Sequence, residues 1–293
     1  MSDPARILAV DIGNTNTRLA VVDMERLRCE ARVSLPTAAL GRRLARAWSS
    51  LTRQLGHAWR GPSGMSCVAG PLVLRPVLGR LARAGAGPVV HVRGAMDLPL
   101  AIAYRRPRAL GADRIAAAVY CVQRFSGRSC VVVSAGTAVT VDYVTRSGQF
   151  AGGAILPGHS LQLLALARDT TALPRVAAAG GRDRLPGRNT VACMTAGVRY
   201  GLAGALERIV AEYRREAGGV DLVVTSGGAW PLLAPLVRFA FRHEPDLVLL
   251  GTALCARHAL ARGAARPGRG ARVRGRGQSS RSRGHRRAAG HRA

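Results

Sequence analysis

Lysine is absent from this 293-residue chain, and all 44 of its basic residues are arginine. A Walker A loop, a Schiff-base lysine and the strand lysine of protein kinases are thereby excluded. Acidic residues are scarce, 16 in all, which leaves a formal net charge of +28. That balance would ordinarily point to nucleic acid. The wholesale use of arginine, beside abundant Ala, Gly and Pro, reads instead as a coding bias. No apolar run approaches the roughly 18 residues of a membrane helix, so no membrane partner is expected. The opening MSDPARILAVD lacks the charged, apolar and cleavage-site pattern of a secretory leader, and a cytoplasmic setting is expected. The six cysteines (Cys29, Cys67, Cys121, Cys130, Cys193 and Cys255) form no CxxC pair and no Cys/His ligand spacing. They read as small buried residues in a reducing compartment, not as a zinc or disulfide framework.

What is present is a repeat. LAVDIGNTNTRLAVVD and VVVSAGTAVTVD share one cadence: an apolar run, a small turn holding Gly, hydroxyl or amide residues, and a second apolar run. At an offset of 123 residues Gly13 falls on Gly136, Asn14 on Thr137, Thr17 on Thr140 and Asp11 on Ser134. Short apolar runs around such a turn predict two β-hairpins, hence two homologous α/β domains each opening with one. The boundary is expected near 105–115, giving domains 1–112 and 113–261. Further strands are predicted at 29–35, 65–70, 88–92, 148–158, 220–228 and 246–251. Helices are predicted at 37–55, 71–84, 112–124, 159–168, 191–216 and 252–262, the first placing Leu40, Leu44, Ala47, Trp48, Leu51 and Leu55 on one face. Residues 262–293 hold eleven arginines, no acid and no apolar period, and are expected to be disordered. Without them the net charge falls from +28 to +17.

The first turn suits a nucleotide phosphate. Gly13 permits a tight bend, consecutive N–H groups near Asn14, Thr15 and Asn16 can face phosphate oxygens, and Asp11 can hold Mg²⁺. Asn and Gly are also favoured in any plain hairpin turn. A second hydroxyl-rich hairpin strengthens the nucleotide reading, because paired hairpins in tandem α/β domains are the arrangement of the actin, Hsp70 and sugar-kinase superfamily. The SGG at 226–228 resembles that superfamily's adenosine-side turn. GADR at 111–114 opens a helix, where Asp113 is either a candidate general base or a carboxylate favoured by the helix dipole.

Taken together, DIGNTNTRLAVVD, MSCVAGP, YRRPRALGADR, GTAVTVD, FAGGAILPG, TTALPRV, GRNT with TAGVRYG, and TSGG resemble the type III pantothenate kinases across residues 6–260. The resemblance implies two RNase H-like domains with ATP in the cleft between them. It implies transfer of the ATP γ-phosphate to the primary hydroxyl of pantothenate, the first step of coenzyme A synthesis. Asp113 would be the general base. Asp11, Ile12, Gly13, Asn14, Thr15, Asn16, Thr17 and Arg18 would form the ATP loop, with Thr137 also on ATP and Asp11 near Mg²⁺. Tyr104, Gly111, Ala112, Asp113, Arg114 and Thr190 would line the pantothenate site, and Arg114 offers a cationic fork for a carboxylate or phosphate. The family completes that site across a homodimer interface.

One departure stands out. The resemblance implies an Asp at position 134 that binds K⁺ or NH₄⁺, and this chain has Ser134. The hydroxyl keeps an oxygen but no charge. Either the cation site is weak or absent while activity persists, or Asp142 serves instead, or the kinase is impaired. The rival from another class is a regulatory or nucleic-acid-binding protein on the kinase fold. Its basis would be the Arg/Gly tail, which could hold phosphates but lacks interleaved aromatics as a stacking platform.

Overall fold

The computed structural model describes residues 4–177 and 184–263. The chain opens with three strands, β1 (Arg6–Ile12), β2 (Asn16–Asp23) and β3 (Arg28–Pro36), then α1 (Leu40–Leu55), β4 (Ser63–Cys67), α2 (Pro71–Arg83) and β5 (Val89–His91). A two-residue strand β6 (Ala101–Ile102) leads to α3 (Ala112–Arg124). The pattern then repeats as β7 (Cys130–Ala135), β8 (Ala138–Val144), β9 (Gln149–Pro157), α4 (His159–Asp169), α5 (Thr190–Glu216), β10 (Leu222–Ser226), α6 (Trp230–Leu233), β11 (Arg242–His243) and α7 (Leu247–Ala261).

The first sheet has the order β3-β2-β1-β4-β5, and the second β11-β10-β7-β8-β9 with β6 added at the β9 edge. In both, a hairpin pairs antiparallel and the next strand in space runs parallel. The two sheets are copies of one plan. Each sheet is coated on its outer face by its own helices. Leu8, Val10, Leu19 and Val21 pack with Leu44, Trp48 and Leu51 of α1, whose apolar stripe follows the predicted face, with Ala47 and Leu55 only half-buried at its edge. Val131, Val133 and Val141 pack with Leu202, Leu206 and Val210 of α5. The inner faces share a third core, in which α3 and α7 lie between Ile7, Ala9 and Ala20 of one sheet and Val132, Val144 and Val224 of the other.

Two expectations are corrected. Residues 247–251 are not a strand; they are the first turn of α7, which is helical from Leu247. Twelve of its fifteen residues are buried, so it carries no amphipathic period, and its Leu/Val run looks strand-like for that reason. The uniform offset of 123 also fails beyond the turns. The first turn spans three residues and the second two, so Asp11 pairs with Arg18, whereas Ser134 pairs with Thr140. Arg18, not Thr17, is thus the counterpart of Thr140. Of the predicted tail, residues 264–293 lie outside the described residues.

Candidate active site

The two hairpins meet tip to tip, with Thr15 Oγ1 and Thr137 Oγ1 2.7 Å apart. The first turn closes with Gly13 N–H donating to Asn16 O at 3.0 Å. Thr37 braces it from behind: its hydroxyl donates to Gly13 O at 2.7 Å and its N–H to Thr15 O at 2.8 Å. The second tip is braced by Gly158 N–H on Thr137 O at 2.9 Å, just after the GGAILP strand.

Strand register aligns two rows of inward side chains near the cleft. On the first sheet the row reads Ser34, Arg18, Asp11, Ser66. On the second it reads Ile155, Thr140, Ser134, Ser226. The row from the first sheet carries a carboxylate and a guanidinium; its counterpart is neutral throughout. Asp11 is 7% exposed, and Arg18 donates to its Oδ2 through Nη2 at 2.8 Å. Arg18 Nη1 reaches on to Pro245 O at 3.2 Å, in the loop before α7. Burial holds the Asp11 carboxyl above the usual carboxylate range, with Arg18 pulling it back.

Asp113 stands in the first turn of α3, and its Oδ1 accepts the Arg114 backbone N–H at 2.8 Å. Burial raises its pKa as well. The Arg114 side chain turns the other way. Its Nε donates to both oxygens of Asp142 at 3.0 and 3.2 Å, and Nη2 donates to Asp142 Oδ1. Phe150 and Tyr104 flank this guanidinium, 5.4 and 6.0 Å from their ring centroids. Arg114 is 7% exposed and Asp142 2%. Burial pushes Asp142 up to about 6 in spite of its partner. Gly153, the register partner of Asp142, leaves the room this pair needs: a Cβ there would overlap Asp142 Oδ1 and come 2.8 Å from Arg114 Nη2.

The predicted site residues therefore divide. Asn14, Thr15, Asn16, Gly13 and Thr137 form the facing tips, and Asp11 and Arg18 lie just below. Gly111 caps α3 and Tyr104 sits beside Arg114. Ile12 packs into the outer core, Ala112 into the inner one, and Thr17 is fully buried against Thr37. Ile12 and Thr17 can offer the cleft only backbone. Thr190 is exposed at the start of α5 and makes no hydrogen bond to the Asp113 cluster among the described residues. Thr37 and the Arg114–Asp142 pair were not foreseen; both are contacts between segments distant in sequence, with no local signal to mark them.

A hollow of about 490 Å³ opens between the first hairpin and the SGG turn, lined by Arg18, Arg32, Gly227, Gly228, His243 and Asp246. Its position between Arg18 and the SGG turn suits a nucleoside. A divalent ion fits the donors present: one buried carboxylate, Asp11, beside a place for phosphates and water, is the sparse protein contribution Mg²⁺ takes in phosphoryl transfer. A monovalent ion at Ser134 does not fit as well, because its row offers neutral oxygens alone and Asp142 is spent on Arg114. Among the described residues no cluster of three His, Cys, Asp or Glu side chains could hold a metal. No helix among them is long and apolar enough to cross a membrane.

The family model for type III pantothenate kinase matches residues 7–212. A type III pantothenate kinase of Moorella thermoacetica is 35% identical, the match covering 84% of this chain and 96% of that one. One of Rhodococcus opacus is 33% identical over 89% of this chain and 98% of its own. A solved structure from Campylobacter jejuni, a candidate Baf family transcriptional activator, superposes with a TM-score of 0.53 at 19% identity, covering 87% of this chain and 99% of that one. That likeness speaks for the fold alone. Family model, curated relatives and paired-hairpin architecture agree: the chain belongs to the type III pantothenate kinase family.

Proposed function

We propose that this chain transfers the γ-phosphoryl group of ATP to the primary hydroxyl of pantothenate, giving 4'-phosphopantothenate and ADP in the first step of coenzyme A biosynthesis. The observation that carries the reading is Asp113: half-buried at a helix start and near enough to Asp11 for the two charges to interact, it takes a backbone N–H while the nearby guanidiniums go to Asp11 and Asp142. A carboxylate so held can accept the hydroxyl proton as the hydroxyl oxygen bonds to the γ-phosphorus and the bond to the β-phosphate oxygen breaks. The turn N–H groups of Gly13 to Asn16 and the hydroxyls of Thr15 and Thr137 would hold the phosphates. Mg²⁺, when bound near Asp11, supplies charge neutralisation on the β- and γ-phosphates. Arg114 orients the acceptor through its Nη1 side, the one Asp142 leaves open.

Several finer readings belong to the same proposal. The lobes divide at 112/113, where α3 begins. Exposed Leu161, Leu164 and Tyr200 on α4 and α5 support a homodimer, with Thr190 completing the pantothenate site of a second copy. The neutral row at Ser134 supports turnover without K⁺ or NH₄⁺. A cytoplasmic setting suits six scattered thiols.

The test is pantothenate-dependent ADP release by wild type and Asp113→Asn in sodium buffer. Loss of the base should lower kcat by about 10²–10⁴ and leave ATP binding nearly unchanged. Absence of pantothenate-dependent turnover in the wild type would overturn the assignment.

A further inference from the structure

Three carboxylates and two guanidiniums meet near the cleft, and how they pair is not the obvious solution. Arg114 follows Asp113 directly, yet its guanidinium goes to Asp142, 28 residues away on β8. Elsewhere in the molecule neighbours do pair. Arg168 binds Asp169, with Nη2–Oδ2 at 2.9 Å, and Arg215 binds Glu216. Asp113 is close enough to Arg114 to feel its charge. A free Arg114 guanidinium would therefore have a carboxylate waiting beside it, and that carboxylate is the proposed base.

The fold works against that local pairing at three points. Asp142 faces inward from β8 and receives Nε and Nη2 together in a pair shut away from water, whereas Arg168 and Asp169 make their two bonds on the exposed surface. Gly153 on β9 vacates the volume. Phe150 and Tyr104 fence the guanidinium plane. We infer that Asp142 is a positioning residue that holds the Arg114 guanidinium away from Asp113, so that the base carboxylate is left able to take the acceptor's proton. This inference rests on the reading of Asp113 as base. It assigns Asp142 to that site and removes it as a candidate cation ligand.

The experiment compares full-length wild type, Asp142→Asn, Gly153→Ala and the double variant Arg114→Gln/Asp142→Asn, recording kcat for pantothenate phosphorylation against pH, with Tm alongside. The charged groups facing Asp113 are Asp11 with its partner Arg18 from the first hairpin, Arg114 on its own helix, and Asp142 from β8. In D142N, Arg114 should close on Asp113, lowering plateau kcat at least tenfold and moving the acid limb down by about one unit or more. Removing Arg114 as well should return the acid limb to the wild-type position, although pantothenate KM stays high. Gly153→Ala changes no charge but displaces the pair, and it should shift the limb in the same direction; it also serves if D142N does not fold. Wild-type kcat and acid limb in both folded single variants would overturn the inference. So would a limb in the double variant that stays where D142N put it. Wild type without pantothenate-dependent turnover would instead remove the underlying reading, so the two failures are told apart.

Discussion

Replacing Gly251 by alanine tests how the shared inner core sets the site. Gly251 lies where α7 crosses α3, and a Cβ there would overlap the Ala116 carbonyl and sit 3.1 Å from Ala116 Cα. Retreat is blocked on the other side, where Thr252 O and the Ala256 Cβ stand 2.7 and 2.9 Å from the Cβ position of Gly64 in β4. The intruding atom meets backbone, which cannot rotate away. Overpacking of this kind costs about 1–3 kcal/mol, and the gain in helix propensity from Gly to Ala returns up to about 1 kcal/mol. With the full propensity gain subtracted the net loss is about 0–2 kcal/mol, equivalent to a Tm decrease of up to roughly 8 °C in a chain of this size. The rate should suffer more, because α3 begins at Ala112 and carries Asp113 and Arg114. A misplacement of about 1 Å at a reacting group costs on the order of 10²-fold. Thermal melting and kcat at a temperature well below Tm decide the matter, with Gly41→Ala in α1 as control, since nothing lies within 4 Å of its Cβ position. A Gly251→Ala protein with wild-type Tm and kcat would refute the claim that the helix crossing is tight and that it positions the base.

Three further outcomes are expected. Because burial raises the Asp113 pKa and the base must be ionised, kcat should fall as pH drops through a value above that of an ordinary aspartate; an acid limb at the ordinary carboxylate value would contradict the buried setting. Ser134→Asp should install a dependence on K⁺ or NH₄⁺ absent from the wild type, since a carboxylate about 3 Å from a cation gains roughly 5 kcal/mol at an effective dielectric near 20, before desolvation; kcat in sodium, potassium and ammonium buffers measures it. Asp221 accepts the Ser129 N–H and hydroxyl and pairs with Arg146, which holds its pKa below the usual range. The stability it contributes is present above the ordinary carboxylate pKa and lost as pH falls through the lowered one, so Asp221→Asn should flatten the acid side of a Tm-versus-pH curve.

Features that depend on a few consecutive residues were legible before folding. Both hairpins follow from small turns between short apolar runs, and α1 from Leu40, Leu44, Trp48 and Leu51 at helical spacing. Legibility ended where burial is uniform or partners are remote. The first turn of α7 is apolar on every side, so period could not separate helix from strand. One residue fewer in the second turn ended the uniform offset, so that Thr140 answers to Arg18 and not to Thr17. Asp142 looked like a spare ligand because nothing local ties β8 to α3, and Arg114 looked like an open fork for the same reason.

The location of α7 also bears on how the chain is made. Ala9 and Ala20, on the inner face of the first sheet, belong to the β1–β2–β3 meander, which can pair once residue 36 has emerged, yet the helix that covers them begins at Leu247. At roughly 5–20 residues per second, that face waits on the order of 10–40 s for its cover during synthesis. The first lobe is thus covered late: the ribosome delivers its first three strands early and the helix that backs them only after the strands of the second lobe, and that same helix packs on α3.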